Sequence, residues 1–169
     1  AIEILSHLMI GSEGTLGFIS RITYRTVVEE AHKASALVFF PTIEAACQAV
    51  IRLKVQPVAA VELLDRPALR SVESKPGLPP MIRGLGEDVA ALLIEVRADD
   101  QATLEKRMED VLAALGGVPT LEPPRFSTDP APCEMYWKVR KGTFPSVGAM
   151  RRTGTTVIIA DVAFPVESL

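Results

Sequence analysis

Residues 35–51, Ser-Ala-Leu-Val-Phe-Phe-Pro-Thr-Ile-Glu-Ala-Ala-Cys-Gln-Ala-Val-Ile, set the pattern on which the predicted fold depends. The continuous apolar run at residues 35–40 is typical of a buried strand. Thr42, just after Pro41, is a residue type that favours the N-cap of a helix. Apolar side chains then recur at helical spacing, which predicts an amphipathic helix with Cys47 in the core. These side chains are Ile43, Ala46, Cys47, Val50 and Ile51.

The same kind of pattern continues on both sides of this unit. Alternating or continuous apolar runs predict strands at 18–28, 58–64, 89–96 and 155–162. Asp65 predicts the start of a short helix to about Val72, and Asp99 or Asp100 the start of a longer one. That longer helix carries the stripe Leu104, Met108, Val111, Leu112 and Leu115 and is predicted to end at Gly116-Gly117.

The remaining segments complete the predicted order of elements. Residues 74–87 are predicted to form a loop and 119–132 an extended segment, because both are rich in proline. A last helix is predicted from Asp129-Pro130, followed by a loop that contains Gly142, Pro145 and Gly148. The order predicts an α+β fold with an antiparallel sheet and helices on one face. A ferredoxin-like βαββαβ layout fits residues 35–118 best.

Composition excludes several classes of protein. The 169 residues are 48% hydrophobic and carry a net charge of −3, which argues against nucleic-acid binding. No stretch approaches the roughly 18 apolar residues of a membrane span. The two cysteines have no metal-ligand spacing and are expected to be reduced, which favours a cytoplasmic protein with no metal site in this chain. The start at Ala1 and the end at Leu169 lead us to expect a piece of a longer polypeptide.

A glycine motif precedes the predicted sheet. Residues 11–20 read Gly-Ser-Glu-Gly-Thr-Leu-Gly-Phe-Ile-Ser, with glycine at every third position from Gly11 to Gly17. The motif is neither a P-loop nor the Rossmann fingerprint, because the spacing and the following residues differ. Glycine allows tight turns and a close approach to a ligand. The pattern alone leaves two interpretations open, a turn between strands and a loop that contacts a cofactor.

The wider motif resembles a known family. Residues 6–19, Ser-His-Leu-Met-Ile-Gly-Ser-Glu-Gly-Thr-Leu-Gly-Phe-Ile, are similar to the segment that closes the FAD-binding domain of vanillyl-alcohol-oxidase-type flavoproteins. Within that group they resemble FAD-linked D-2-hydroxyacid dehydrogenases. The resemblance implies that residues 1–30 end an FAD domain and that 31–169 belong to a substrate or cap domain. It also implies FAD contacts from Gly11, Ser12, Glu13, Gly14, Thr15, Gly17 and Ile19.

A second motif lies on the last predicted helix. Helical spacing places Cys133, Tyr136, Trp137 and Arg140 on one face. The planar fork of an arginine suits a carboxylate, although its stem could instead pack on Trp137 while its head meets water or a structural acid. The family carries a Trp-x-x-Arg motif here, and the resemblance implies that Arg140 binds the substrate carboxylate, with a hydroxyl from Thr143. It assigns no catalytic base to His7 or His32, which is expected in a solvated linker at 29–33.

Together these features predict part of an FAD-dependent dehydrogenase that oxidises a small D-2-hydroxyacid by hydride transfer to flavin. Residues 141–149 resemble the branch that is fused to an iron–sulfur domain, so the expected partners are the FAD domain and that domain of the same polypeptide. The chain alone is expected to be inactive and to hold no FAD. Two alternatives stay open: a ferredoxin-like module that binds a small molecule without redox activity, and a sugar or aldehyde oxidase.

Overall fold

A central antiparallel sheet and five helices make up the computed structural model, which describes residues 2–74, 76, 82–156 and 165–168. The elements are α1 (Ile2–Met9), β1 (His32–Phe40), α2 (Ile43–Leu53), β2 (Ala60–Leu64), α3 (Arg66–Val72), β3 (Ala90–Ala98), α4 (Gln101–Ala114), α5 (Pro130–Met150) and a 3-10 turn at Val166–Ser168. The predicted α+β class is confirmed.

The three strands lie in the order β1-β3-β2, and both pairs are antiparallel. His32 is opposite Ala98 at one end of the β1–β3 pair, and Phe40 is opposite Ala90 at the other. β3 is the central strand and its side chains are buried on both faces of the sheet, which explains its nearly continuous apolar sequence. This strand order is the one that a ferredoxin-like layout gives to its first three strands.

The free edge of β1 is covered by the extended segment that follows α4. Ser35 and Ser127 exchange two backbone hydrogen bonds of 2.9 Å, and the amide of Leu121 donates to the carbonyl of Phe39. Prolines at 119, 123 and 124 have no amide hydrogen, so the segment cannot form a continuous ladder. Residues 157–162 of the predicted fourth strand lie outside the described residues.

Helices cover both faces of the sheet. On one face, α2 and α4 pack over the even-numbered side chains of β1 and β3, as the helices of the predicted layout do. On the other face, α3 and α5 pack together, with Leu69, Val72 and Val139 against Phe39 and Ala91. The prediction of helices on one face therefore describes α2 and α4, and α5 adds a second layer. This second layer carries the Trp-x-x-Arg motif.

Four helices begin at the predicted N-caps. The side chain of Thr42 accepts a hydrogen bond from the amide of Ala45, and Asp65 accepts one from Ala68. Of the two candidates for α4, it is Asp100 that caps, with its carboxylate bonded to the amide of Thr103 at 2.9 Å. Asp129 caps α5. These starts could be predicted because an N-cap bond joins residues only two or three positions apart.

The buried face of α2 differs from the predicted stripe. Its buried residues are Ala45, Ala46, Ala49 and Leu53. Ile43 and Ile51 are 42% and 39% exposed, and Cys47 is half-buried rather than in the core. Small side chains at the contact let the helix lie close to the sheet, so the alanine face is buried in place of the more apolar isoleucine face.

Two further predictions were wrong. The segment 18–28 forms no strand, and Phe18, Val27 and Val28 are 92%, 91% and 85% exposed. An alternating sequence indicates a face, but a strand also needs a neighbour for its backbone hydrogen bonds. Residues 29–33 are not wholly a linker, because His32 and Lys33 belong to β1 and pair with β3.

The last helix continues through the predicted loop. Gly142, Pro145 and Gly148 all lie inside α5, which ends at Met150. Pro145 costs the helix one backbone hydrogen bond. The helix packs against α3 and the sheet, and Thr143 and Ser146, on either side of Pro145, are buried. Local helix-breaking signals were overridden here by tertiary contacts.

Candidate functional site

Helix α5 lies across the second face of the sheet and brings the Trp-x-x-Arg motif over two acidic strand residues. Asp129 caps the helix and Pro130 occupies its first turn, where a missing amide hydrogen costs nothing. Val139, which is 1% exposed, anchors the helix on the apolar part of this face. The cap and this buried anchor fix the position of α5, and so of Trp137 and Arg140, relative to the sheet.

Trp137 is bound to a buried carboxylate. Its indole Nε1 donates to Oε2 of Glu95 at 2.7 Å. Glu95 lies on the central strand and is only 3% exposed. Arg97 donates from Nε to the other oxygen at 2.6 Å, and this bond and the carboxylate charge raise the pKa of Arg97. A buried charge is stable only when it is paired and hydrogen-bonded, and Glu95 meets both conditions.

Arg140 is bound to a second acid on the same face of the sheet. Its Nε donates to Oε2 of Glu62, on β2, at 2.9 Å. The two side chains are 41% and 34% exposed. The terminal Nη1 and Nη2 atoms of Arg140 form no hydrogen bond within the described part of the chain. They remain available as a two-pronged donor, the arrangement that suits a planar carboxylate.

Thr143 lies one helical turn beyond Arg140. Its side chain is almost buried, and Oγ1 donates to the backbone carbonyl of Arg140 at 2.8 Å. The hydroxyl proton is thus used within the helix, and the oxygen can only accept a further hydrogen bond. The predicted substrate role of Thr143 remains a prediction.

The glycine motif forms a series of turns directly after α1. Gly11 and Gly14 have φ of 78° and 83°, the left-handed region that favours glycine, and Glu13 shares it with φ of 48°. Thr15 closes one turn, with both its amide and its hydroxyl bonded to the carbonyl of Ser12. The amides of Glu13, Gly14 and Gly17 donate to no acceptor among the described residues.

The surface of this loop is open at two of its glycines. A Cβ placed on Gly11 or Gly14 would meet nothing within 4 Å, so the glycine surface is open to a ligand. Unpaired amides can bind phosphate or ring oxygens. Ile19, at the end of the predicted contact set, is 46% exposed. No hydrogen bond or ion pair of the described residues joins this loop to Arg140 or Thr143, so the structure leaves the two predicted parts separate.

Glu62 and Glu95 were not among the predicted site residues. Glu95 is 42 positions from Trp137, and Glu62 is 78 positions from Arg140. The only signal in the sequence was that each is an acidic residue within an otherwise apolar strand, where a charged side chain is unusual. A buried acidic residue needs a hydrogen-bond or ion-pair partner, but the identity of that partner depends on which helix covers the same face of the sheet.

No group of three or more His, Cys, Asp or Glu side chains is placed to hold a metal ion in the ranges that the structure describes. Within the same ranges, none of the helices is both long and apolar enough to cross a membrane.

Comparison with known proteins gives consistent matches. The family model "FAD linked oxidases, C-terminal domain" matches residues 29–169. The mitochondrial D-lactate dehydrogenase [cytochrome] of Arabidopsis thaliana is 30% identical over 169 residues, which cover 98% of this chain and 28% of that protein. Glycolate oxidase subunit GlcD of Bacillus subtilis is 30% identical over 166 residues, covering 95% and 33%. A probable mitochondrial D-lactate dehydrogenase of Danio rerio is 35% identical over 63 residues, covering 36% and 13%. The chain spans about a third of these relatives' length or less.

Proposed function

The chain belongs to the FAD-linked oxidase family, whose C-terminal domain it matches, and on this premise we propose that it is the substrate-side part of an FAD-dependent dehydrogenase of D-2-hydroxyacids. Relatives named D-lactate dehydrogenase and glycolate oxidase subunit support a small 2-hydroxyacid as the substrate. We further propose that residues 1–30 complete the FAD domain and that 31–169 form the cap domain. The cytoplasmic location stays a prediction.

The observation that carries this proposal is the state of Arg140. Its Nε is held by Glu62, while both terminal nitrogens are free of partners in the described chain. One edge of this half-exposed guanidinium is already held in place. Binding a carboxylate at the other edge therefore costs less side-chain entropy than binding by a mobile arginine would. Binding the carboxylate at Arg140 orients the α-carbon of the substrate. The ion pair with Glu62 is also the structural role that the sequence left open, and the two roles are compatible.

The glycine loop would hold part of the cofactor. We expect contacts to FAD from the backbone of residues 11–17 and from Ile19, because free amides and a Cβ-free surface lie together there. Bound FAD supplies the two-electron acceptor, and the protein supplies orientation and charge. The apolar side chains around the loop support a neighbouring domain, since Ile4, Phe18 and Tyr24 are 73%, 92% and 77% exposed. The rest of the FAD domain and an iron–sulfur domain are the partners we expect.

The substrate role of Arg140 is testable in the full-length enzyme. Arg140→Ala is expected to lower kcat/KM for D-2-hydroxyacids about 10- to 100-fold, the effect of losing a charge-assisted carboxylate contact. Arg140→Lys keeps the charge but loses the fork, so its activity should fall between the two. Arg125→Ala, at an exposed arginine without an ion-pair partner among the described residues, is the matched control. Unchanged kinetics in Arg140→Ala would return this residue to a purely structural role.

The cofactor proposal has a direct test in the isolated chain. The loop alone encloses little of a cofactor, so the purified 169-residue protein is expected to be colourless and inactive. A longer polypeptide that includes the FAD domain is expected to be yellow, and Gly14→Ala in it should lower flavin content, because Gly14 has φ of 83°. Flavin absorbance near stoichiometry in the isolated chain would contradict the proposed domain division.

A further inference from the structure

The described lysines of this chain fall into two groups, those that form ion pairs and those that do not. The structure describes five of them, and two form ion pairs: Lys54 with Glu167, and Lys106 with Asp110 at 3.3 Å. The other three, which are exposed, have no ion-pair partner in the described part of the chain, and all three line the same cavity. They are Lys33, Lys138 and Lys141. In a protein with a net charge of −3, this grouping of unpaired cations is unexpected.

The cavity lies between the start of β1 and the first turns of α5 and has a volume of about 340 Å³. Its floor contains Cys133 and Glu95, both 3% exposed, and its wall contains Trp137. The buried floor makes it a concave site. At 340 Å³ it lies at the small end of the range for ligand sites, roughly 300–1,000 Å³.

The charge of the cavity is positive. The carboxylate of Glu95 is neutralised by Arg97 and is bonded to Trp137, so it contributes little net field at the rim. Glu134 is the other acid of the lining. Among the described residues that line the cavity, three lysines against the carboxylate of Glu134 leave an excess of two positive charges. Like charges held around one cavity disfavour one another, and an anion bound between them removes that cost.

We propose that this cavity binds a small organic anion carrying two or more carboxylate or phosphate groups. An excess of two cations is matched by a dianion and not by a monoanion. The site is separate from the carboxylate contact proposed for Arg140, which does not line the cavity and is bound to Glu62 on β2, whereas Lys33 enters from β1. A ligand bound here would touch Trp137, the residue that precedes Arg140 by one helical turn.

Trp137 makes the proposal directly measurable. It is the only tryptophan of the 169 residues and it lines the cavity, so its fluorescence reports on this site. The isolated chain is titrated with citrate and with inorganic phosphate, and with acetate as a monoanion, all at constant ionic strength. We expect a saturable change in fluorescence with citrate or phosphate, and at least about tenfold weaker binding of acetate.

Charge variants localise the binding. Lys138→Gln with Lys141→Gln is expected to weaken citrate binding about tenfold or more, and Lys33→Gln alone should weaken it in the same direction. The matched control is Lys54→Gln with Lys106→Gln, which removes the same charge from lysines outside the cavity. All five lysines are exposed, so far-UV circular dichroism should show an unchanged fold for each variant.

Several results would overturn the proposal. They are the absence of a saturable response to any of the anions, equal affinity for acetate and citrate, or equal weakening by the control pair. Binding of an acidic peptide without binding of citrate or phosphate would identify a protein-docking surface instead. The assay contains no FAD, and its charge variants change only lysines while Arg140 stays in place. Its outcome is therefore independent of the kinetic test of Arg140.

Discussion

The bond between Trp137 and Glu95 offers the sharpest test of how α5 is held. Trp137→Phe removes the indole donor 2.7 Å from a carboxylate that is 3% exposed, while it keeps an aromatic ring. A hydrogen bond to a charged group contributes about 1.5–3 kcal/mol, and water replaces it poorly in a buried place. We expect this loss in the free energy of unfolding. For a domain of this size it corresponds to a fall in Tm of about 3–12 °C.

The assay is urea unfolding followed by far-UV circular dichroism, because the variant has no tryptophan. Tyr136→Phe is the control, since the hydroxyl of this neighbouring residue has no hydrogen-bond partner among the described residues, and it should change stability by less than about 0.5 kcal/mol. A double-mutant cycle with Glu95→Leu isolates the pair and should give a coupling of at least about 1 kcal/mol. If Trp137→Phe costs the same with and without the Glu95 carboxylate, the bond does not hold the helix.

Three further predictions concern stability, each measured by urea unfolding. Gly117→Ala should lower the free energy of unfolding by about 1–2 kcal/mol, because φ at Gly117 is 78°. Gly148→Ala, inside α5, should raise it by up to about 1 kcal/mol, because alanine favours the helix more than glycine does. Changes of the same sign would contradict the backbone conformation of one of the two glycines. Leu92→Ala, on the buried central strand, should cost about 2–5 kcal/mol, and a cost below about 1 kcal/mol would show that this core is loosely packed. The amide and hydroxyl of Thr103 lower the pKa of Asp100. The ionised carboxylate of Asp100 should therefore stabilise the folded chain fully above the unfolded-state pKa of about 3.9. This stabilisation should decline as the pH falls through the folded-state pKa. Asp100→Asn should therefore differ from wild type at pH 6 and converge with it in acid, and a constant difference would refute this.

Prediction from the sequence succeeded where the determining contacts are local. The capping residues Thr42, Asp65 and Asp129 act on amides two or three positions away, and all three begin helices. The failures have a different cause. The segment 18–28 has the pattern of a strand but no paired strand among the described residues, and α5 continues through Pro145 while it packs against α3 and the sheet.

The candidate site divides in the same way. Its chemistry was visible in the spacing of Trp137 and Arg140, because residues three apart share a helix face. The match to the family followed from the sequence as well, through the glycine motif and this pair. What the motif binds to could not be predicted, since an exposed arginine pairs equally well with a substrate, water or an acid.

The sequence by itself determined where four of the five described helices start, the order of the strands and helices from β1 to α4, and the presence of an arginine fork beside a tryptophan. Only the tertiary structure decided that Glu95 meets Trp137 and Glu62 meets Arg140, and that three lysines share one cavity. The physical reason is strand register. The β2–β3 pairing places Glu62 opposite Leu93, and so on the same face as Glu95 two residues along. Contacts across 42 and 78 positions exist only once that register and the path of α5 are set.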